Sequence, residues 1–345
     1  GAETATSEVL RFVADVRRPT QCGVRSCSVN LQLSDLAKGR PGPWPLTGGI
    51  PLPQGHLADS AHCQLKDASE KVVVAQFDAL AHWPDGSVKW LFVTHVGDPS
   101  KGEFTLEYGR VVSTPEPPAD AIRTAQTDET LVVTTDCLRA ELSRTHFTPL
   151  GKVFFDRDGD GEFVADECVV PANGEGLVLV DAAGKRYTST DAAPTRLAVE
   201  EMGPVRTVIL AEGPLQGVSG SLFSYRCRMT FYRGFRGIPT VISLVTDQGT
   251  TIFPPTMHRI RSFALSLPAA PGAKGLVERR VQDDDYHYVV YQGGKTDERK
   301  GTASPVLTVN SPAGSVSAVV KDFWQLYPKG LAFDGDSLVV ELFPE

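Results

Sequence analysis

The feature that most restricts the fold of this chain is the alternation of apolar and polar residues in short segments. Between residues 224 and 231, the residues Tyr225, Cys227, Met229 and Phe231 alternate with polar ones. Successive side chains of an extended chain point to opposite faces of a sheet, so this pattern predicts a strand with one buried face. Helical periodicity is nearly absent. Similar alternation occurs at 28–33, 205–210 and 260–267.

Glycine and proline separate these segments along the whole chain. About twenty segments have the length and alternation of strands, and the 32 glycines and 25 prolines lie mostly between them. Many short strands divided by such turn residues are typical of barrels and sandwiches. The sequence therefore predicts an all-β protein.

A proline-rich segment divides the chain into two parts. Three prolines lie among the nine mostly polar residues from Val112 to Asp120, and such a segment is extended and cannot continue a sheet. We therefore predict a first domain at 1–111, a linker at 112–124 and a second domain at 125–345. Both domains have an ordinary size.

Charge and hydropathy exclude two classes of function. The formal net charge is −8, which is unfavourable for nucleic-acid binding. No apolar run approaches the roughly 20 residues of a membrane span. The sequence opens with Gly1-Ala2-Glu3-Thr4, from which we expect a processed or trimmed N-terminus. A local basic site for an acidic ligand remains compatible with the net charge.

The acidic segment from Asp156 to Glu167 has the spacing of a calcium-binding loop. Oxygen ligands stand at its positions 1, 3, 5 and 12, with Gly161 at position 6. We predict a structural Ca²⁺ site, although the flanking residues have the pattern of strands and not of helices. The alternative is a solvated hairpin tip without metal. The predicted ligands are Asp156, Asp158, Asp160, Glu162 and Glu167.

The cysteines leave the redox compartment open. Six are present, and fifteen complete pairings are possible. Cys22 and Cys27 are close enough in sequence to close a local loop, whereas Cys227 has the position of a free core thiol. The chain has no nucleophile elbow, phosphate-binding loop or zinc-protease motif.

Two parts of the sequence resemble a known family. The first combines GGIPLPQG at 48–55 with AQFDALAHWPDGSVKWLFV at 75–93; the second combines VQDDDYHYVVYQGG at 281–294 with the segment from Val316 to Glu345. Together they resemble the rhamnogalacturonan exolyase/YetA family. The residues themselves only predict packed strands and a tight turn at Trp83–Ser87.

The resemblance implies a small N-terminal β-barrel followed by a larger central β-sandwich. It also implies a secreted or periplasmic polysaccharide lyase that cleaves acidic, pectic rhamnogalacturonan-like glycans by β-elimination. In that family a C-terminal helical α/α toroid follows the sandwich, and this sequence ends at Glu345 without one. A helical domain of the same protein is therefore an expected partner, and the catalytic cleft is expected to be incomplete.

Lyase chemistry on a uronate needs a cation for the carboxylate, a base and an acid. The candidates are His258, Arg259 and Arg261 on one predicted strand, and His287 and Tyr288 on another. Arg233 and Arg236 flank a glycine-rich turn and are also considered. Each of these residues has an ordinary alternative as a solvent-facing charge or a partnered core group.

Two functions therefore remain open. The chain is either the β-domain portion of a polysaccharide lyase or a carbohydrate-binding or scaffolding module without catalysis. A long groove lined by Arg, His and Tyr favours the lyase, whereas a shallow aromatic platform or an exposed apolar face favours the module.

Overall fold

The computed structural model describes residues 10–14, 25–33, 42–246, 258–275 and 279–345. Strands account for 55% of the structure. In the described ranges the helical content is limited to short 3₁₀ turns at Ser60–His62, Pro99–Lys101 and Ala165–Glu167. Within the same ranges, no helix is long and apolar enough to cross a membrane. The all-β prediction is confirmed.

The N-terminal part is a barrel of eight strands. In spatial order they run β5-β4-β8-β2-β1-β3-β7-β6, and every described pairing except the parallel β1–β3 contact is antiparallel. Its core holds Leu31, Leu46, Leu65 and Leu91, each fully buried. The strands are β1 (Leu10–Ala14), β2 (Cys27–Leu33), β3 (Trp44–Pro51), β4 (Cys63–Asp67), β5 (Val72–Val73), β6 (Ala75–His82), β7 (Val88–Gly97) and β8 (Glu103–Tyr108).

The remaining strands form three sheets of the larger β-sandwich. The first has five strands, β9 (Arg123–Gln126), β10 (Thr130–Thr134), β11 (Leu138–Ser143), β12 (Lys152–Phe155) and β13 (Cys168–Val170). The smallest has three, β21 (Lys274–Gly275), β25 (Val306–Ser311) and β26 (Gly314–Val319).

The largest sheet has twelve strands, whose order along the path is β19-β18-β17-β15-β14-β20-β28-β27-β22-β23-β24, with β16 paired to β17. Its strands are β14 (Gly176–Asp181), β15 (Arg186–Thr188), β16 (Arg196–Glu201), β17 (Arg206–Gly217), β18 (Gly220–Tyr232), β19 (Thr240–Val245), β20 (Ile260–Pro268), β22 (Arg279–Gln282), β23 (His287–Gln292), β24 (Lys295–Lys300), β27 (Lys329–Phe333) and β28 (Ser337–Phe343).

Strand β18 shows how the sequence pattern builds the sandwich core. Tyr225, Cys227, Met229 and Phe231 are all buried, and the Tyr225 ring stacks on Phe147 with ring centroids 5.2 Å apart. Their apolar surface is removed from water, which is the main source of stability for such a strand. The alternation between residues 224 and 231 is thus confirmed as the inward face of a strand.

The cysteines agree in part with the sequence reading. Cys227 is a free thiol, and burial raises its pKa to about 12. Cys27 is disulfide-bonded, whereas Cys22 lies outside the described residues. Cys63, Cys137 and Cys168 are free as well.

A junction of polar and aromatic contacts joins the barrel to the sandwich. The Oε1 atom of Gln76 accepts hydrogen bonds from the backbone N–H groups of Val205 (3.3 Å) and Arg206 (2.9 Å). Trp44 packs on Phe235 at a centroid distance of 5.5 Å. The two hydrophobic cores are separate, one formed by residues 31–108 and the other by residues 122–340.

Candidate functional site

The acidic loop between β12 and β13 brings three carboxylates together. One ligand oxygen from each of Asp156, Asp158 and Glu167 lies within 4.8 Å of the others. Asp156 is 7% exposed and Glu167 is 2% exposed, whereas Asp158 faces solvent. Three oxygen ligands at this spacing, two of them held inside the protein, suit a hard cation such as Ca²⁺.

The backbone of the same loop folds around the two buried carboxylates. Asp156 accepts hydrogen bonds from the N–H groups of Gly159 (2.6 Å) and Gly161 (2.9 Å). Both glycines have φ near +80°, a conformation that other residues rarely adopt. Glu167 accepts hydrogen bonds from the N–H groups of Arg157 (2.8 Å) and Val164 (3.3 Å). The loop therefore fixes both carboxylates before any ligand arrives.

Two of the predicted ligands lie apart from this cluster. Asp160 and Glu162 are exposed, and Asp160 accepts a hydrogen bond from the Glu162 N–H at 2.7 Å. The nearby cation Arg157 reaches Asp166 at 3.7 Å and donates to the Pro312 carbonyl at 3.0 Å. Three of the five predicted oxygen ligands are thus close to one another in the structure, and two are not.

The first group of predicted catalytic residues lies at the beginning of β20. His258, Arg259 and Arg261 are exposed. The Arg261 guanidinium forms an ion pair with Glu345, and the His258 ring packs edge-on against Phe223 at 5.6 Å. Arg259 and Arg261 offer positive charge at the surface, but the charge of Arg261 is already neutralised.

The second group lies on β23. The Nδ1 atom of His287 lies 2.7 Å from Asp283, and this hydrogen bond raises the pKa of His287. Tyr288 follows on the opposite face of the strand and packs partly against the sandwich core. Hydrogen bonds that Arg299 donates, first to Asp297 and then to the Tyr288 oxygen, raise the pKa of Arg299, so the phenol and this guanidinium are neighbours.

The two groups do not form one centre. Strands β28, β27 and β22 lie between β20 and β23 in the sheet. Four strand spacings of about 4.8 Å separate the two strands by roughly 19 Å. In addition, His287 and Tyr288 point to opposite faces of β23. The assignment of His258, Arg259, Arg261, His287 and Tyr288 to catalysis stays a prediction.

The arginines of the glycine-rich turn have structural partners. Arg233 donates to both carboxylate oxygens of Asp120, at 2.9 and 2.7 Å. Arg236 lies over the Phe155 ring at 5.0 Å. Phe235, between them, packs on Trp44 of the barrel. This turn therefore connects the linker, the barrel and the sandwich.

Sequence reasoning did not identify three polar residues of the β22–β24 hairpins. Gln282 is fully buried; its Nε2 donates to three carbonyls and its Oε1 accepts from the Ala303 N–H at 2.7 Å. Arg280 is half-buried on the same face of β22, and Arg299 stands opposite Tyr288 in the ladder. The alternation of Arg280 with Gln282 was the only sequence signal that could have indicated a polar face on β22. It was not decisive, because both residue types are common on exposed faces of strands.

Comparison with known proteins identifies the barrel. Residues 30–109 match the family model described as the PcRGLX-like N-terminal RIFT barrel domain. The predicted resemblance to rhamnogalacturonan lyases and the predicted N-terminal barrel are thereby confirmed for this region. No curated protein matches the sequence.

Several solved structures match the chain, and one of them aligns with most of its length. It is the viral chemokine binding protein R17 encoded by rodent gammaherpesvirus Peru, with 12% sequence identity over 94% of this chain and 83% of that chain. The TM-score is 0.16, a value from which no shared fold follows.

Proposed function

We propose that this chain is the β-domain portion of a secreted or periplasmic polysaccharide lyase. The observation that carries the proposal is the match of residues 30–109 to the RIFT barrel of the rhamnogalacturonan lyase-like family. The proposed substrate is an acidic, pectic rhamnogalacturonan-like glycan, cleaved by β-elimination. The proposed domains are 1–111 and 125–345, joined by a linker at 112–124, because the two hydrophobic cores separate between Tyr108 and Ile122.

Within that enzyme, we assign the two β domains to substrate binding and positioning. The separation of the β20 and β23 groups by roughly 19 Å supports this role, because an acid and a base must both reach one sugar residue. The remaining groups are then supplied by another part of the protein, for which a C-terminal helical domain is the proposed source.

Incubation of the purified chain with rhamnogalacturonan tests this role. β-Elimination creates an unsaturated sugar whose ultraviolet absorbance can be followed directly, and binding can be measured in parallel by affinity electrophoresis. We expect binding of the acidic polymer with turnover near background, since each missing general acid or base costs roughly 10²–10⁴-fold. Robust turnover would instead assign catalysis to His258, Arg259, Arg261, His287 or Tyr288.

Binding without turnover is also the result expected of a carbohydrate-binding or scaffolding module, the second candidate function. The two are separated by adding the helical domain encoded by the gene of a related lyase. Restored turnover favours the lyase portion, whereas unchanged binding and no turnover favour the module. If the chain binds no acidic glycan at all, both the substrate-binding role in a lyase and the carbohydrate-binding module are wrong, and only a scaffolding module is left.

A structural Ca²⁺ ion in the Asp156–Glu167 loop is a separate proposal. It is supported by the spacing of the loop and by the cluster of Asp156, Asp158 and Glu167. Because mutually repelling carboxylates are neutralised by a bound divalent cation, ion binding would stabilise the hairpin between β12 and β13.

Calcium titration of the metal-stripped chain tests this site. We expect heat of binding and a rise in melting temperature, because a ligand that binds only the folded state stabilises it. Asp156→Asn and Glu167→Gln are expected to abolish both effects. Asp166→Asn is the matched control, since Asp166 is an exposed carboxylate of the same loop outside the cluster. A titration without heat or thermal shift would rule out the site.

A further inference from the structure

Arg144 of the sandwich is partly buried and bonds the Leu197 carbonyl and Gln126, without a carboxylate among the described residues. Arg280 is a second partly buried arginine of the sandwich that no described carboxylate faces. Among the residues that the structure describes, its guanidinium has only two hydrogen-bond partners, the carbonyls of Ser304 (2.9 Å) and Val306 (3.3 Å). Both bonds use the Nη1 atom. Burial lowers the pKa of Arg280, which means that the protein holds this charge at a cost. The Nε and Nη2 donors remain available for an anion.

The ladder places two further donors on the same face. Gln282 pairs with Tyr288, and Tyr288 pairs with Arg299. Arg280 lies two residues from Gln282 and therefore shares its face. The positive charge of Arg299 and the phenol of Tyr288 both act on Arg280 electrostatically. Two guanidinium groups and one hydroxyl thus border the same region.

The balance of charge on this face is positive. On β24 the same face carries Lys295, Asp297 and Arg299, and Asp297 pairs with Arg299 at 2.6 Å. On strands β22–β24, this face therefore carries three cations, including Arg280, and one carboxylate, although the whole chain has a net charge of −8. Such a local excess of positive charge attracts an acidic ligand.

The buried amide of Gln282 makes the region rigid. It donates to the carbonyls of Asp284 (2.8 Å), His287 (3.0 Å) and Gly301 (3.2 Å). These bonds tie the β22–β23 turn to the end of β24, so the strands that carry this face keep their relative positions. Fixed donors lose little conformational entropy when they bind a ligand.

We propose that Arg280, Tyr288 and Arg299 form a binding site for the carboxylate of a uronic acid residue in a glycan. A planar guanidinium binds a carboxylate through two parallel hydrogen bonds, and the Tyr288 hydroxyl adds a third donor. The site holds the carboxylate and offsets its charge. Asp297 binds Nε and Nη2 of Arg299, so Arg299 contributes through the donors that Asp297 does not use. The identity of the ligand as a uronate rests on the proposed function.

The test uses the full chain and a soluble oligosaccharide of alternating galacturonic acid and rhamnose. Isothermal titration compares this acid with its methyl ester, in which the carboxylate charge is absent. We expect Arg280→Gln and Arg299→Gln each to weaken binding of the acid by about tenfold, the loss of one charge-assisted contact. Tyr288→Phe has a smaller effect, and binding of the ester is weak and insensitive to all three substitutions.

Lys300→Gln is the matched control. Lys300 is the next residue after Arg299, is exposed and points to the opposite face of β24, so the variant removes the same charge without touching the site. Binding by this variant is expected to be unchanged. Arg280→Lys keeps the positive charge but loses the pair of parallel donors of the guanidinium, so partial binding by this variant assigns the loss in Arg280→Gln to the site. The melting temperatures of all variants show whether any of them has unfolded.

The outcomes separate this inference from the proposed function. If the acid binds and both arginine variants bind it like the parent, the carboxylate site is wrong and the proposed function stands. Equal affinity of the parent chain for the acid and the ester would also show that the carboxylate site is wrong while the proposed function stands. If the parent binds neither oligosaccharide, the carboxylate site and the proposed function both fail.

Discussion

The barrel–sandwich junction and the β22–β24 end of the large sheet use the same residue types in different ways. At the junction, Arg206 pairs with Glu201, and Arg233 binds Asp120 through two hydrogen bonds. At the β22–β24 end, Arg280 is half-buried without one in the described part of the chain. Both regions also contain a buried glutamine, Gln76 and Gln282, that bonds several backbone groups.

The difference shows how structural charge can be separated from charge available for recognition. Neutral amides are satisfied in both regions, so buried hydrogen bonding alone does not distinguish them. A charged group that has been desolvated without a counter-charge lowers stability, and such a cost is retained where a ligand repays it. The junction therefore has the character of a structural interface, whereas the β22–β24 end is the surface for which we propose carboxylate binding.

Removal of the junction amide should produce the largest effect. Gln76→Leu leaves the N–H groups of Val205 and Arg206 without their acceptor in a site where Gln76 is only 5% exposed. Buried donors without partners cost about 1–3 kcal/mol each, so we expect the free energy of unfolding to fall by about 2–4 kcal/mol. Urea denaturation measures this change.

The control for Gln76→Leu is Gln64→Leu. Gln64 lies on the same barrel, is partly exposed and bonds only the Glu107 side chain, at 2.5 Å. Its replacement should change the free energy of unfolding by less than about 1 kcal/mol. A Gln76→Leu effect no larger than that of the control would show that the junction is not held by this amide.

The junction itself lay beyond sequence reasoning. The bond from Val205 to Gln76 spans 129 residues, and no local pattern records which turn of one domain meets which strand of another. Local features were predictable: the inward residues of β18 followed from alternation, and the 156–167 loop followed from spacing. The positions of the predicted ligands Asp160 and Glu162, which lie exposed and apart from the cluster, were not predictable, because the direction of a side chain depends on the folded loop.

The unpaired arginine shows a second limit of sequence reasoning. Arg279 and Arg280 are neighbours, and alternation places them on opposite faces of β22. Arg279 pairs with Glu341 at 3.0 Å, whereas Arg280 bonds only carbonyls. The sequence gives no sign of which arginine has a carboxylate, because Glu341 is brought to β22 by strands β27 and β28.

The effect of intermediate size is expected when one arginine of each region is replaced by glutamine, Arg206 at the junction and Arg280 at the β22–β24 end. Arg206 pairs with Glu201 and lies over the Phe92 ring at 5.3 Å, so Arg206→Gln should lower the free energy of unfolding by about 1–2 kcal/mol. Arg280→Gln removes a desolvated charge together with its two carbonyl contacts. We therefore expect its effect to stay within about 0.5 kcal/mol.

Urea denaturation of both variants in the same buffer provides the measurement. Equal losses of stability would contradict the distinction between structural and available charge. A larger loss for Arg280→Gln would mean that its contacts with Ser304 and Val306 are structural, and that the charge is held for the fold.

The smallest expected effect concerns a carboxyl group of the junction. Burial raises the pKa of Asp78, with the charge of Glu201 as a further contribution, and the hydrogen bond from Gln76 opposes the rise. A folded-state pKa above the unfolded value means that the folded chain holds this proton more tightly. Asp78 therefore contributes stability below its unfolded pKa, and that contribution is lost as the pH rises through the folded pKa.

Asp78→Asn removes this loss while keeping an oxygen that can accept from Gln76. We expect a gain in the free energy of unfolding of at most about 1 kcal/mol near neutral pH, and no gain in acid, where Asp78 is already neutral.

Asp85→Asn is the control of opposite sign. Hydrogen bonds from Ser87 lower the pKa of Asp85, so its stabilising contribution is present at neutral pH and is lost as the pH falls through its folded pKa. Denaturation curves across the acidic range should therefore diverge in opposite directions for the two variants, and parallel curves would show that the junction does not desolvate Asp78.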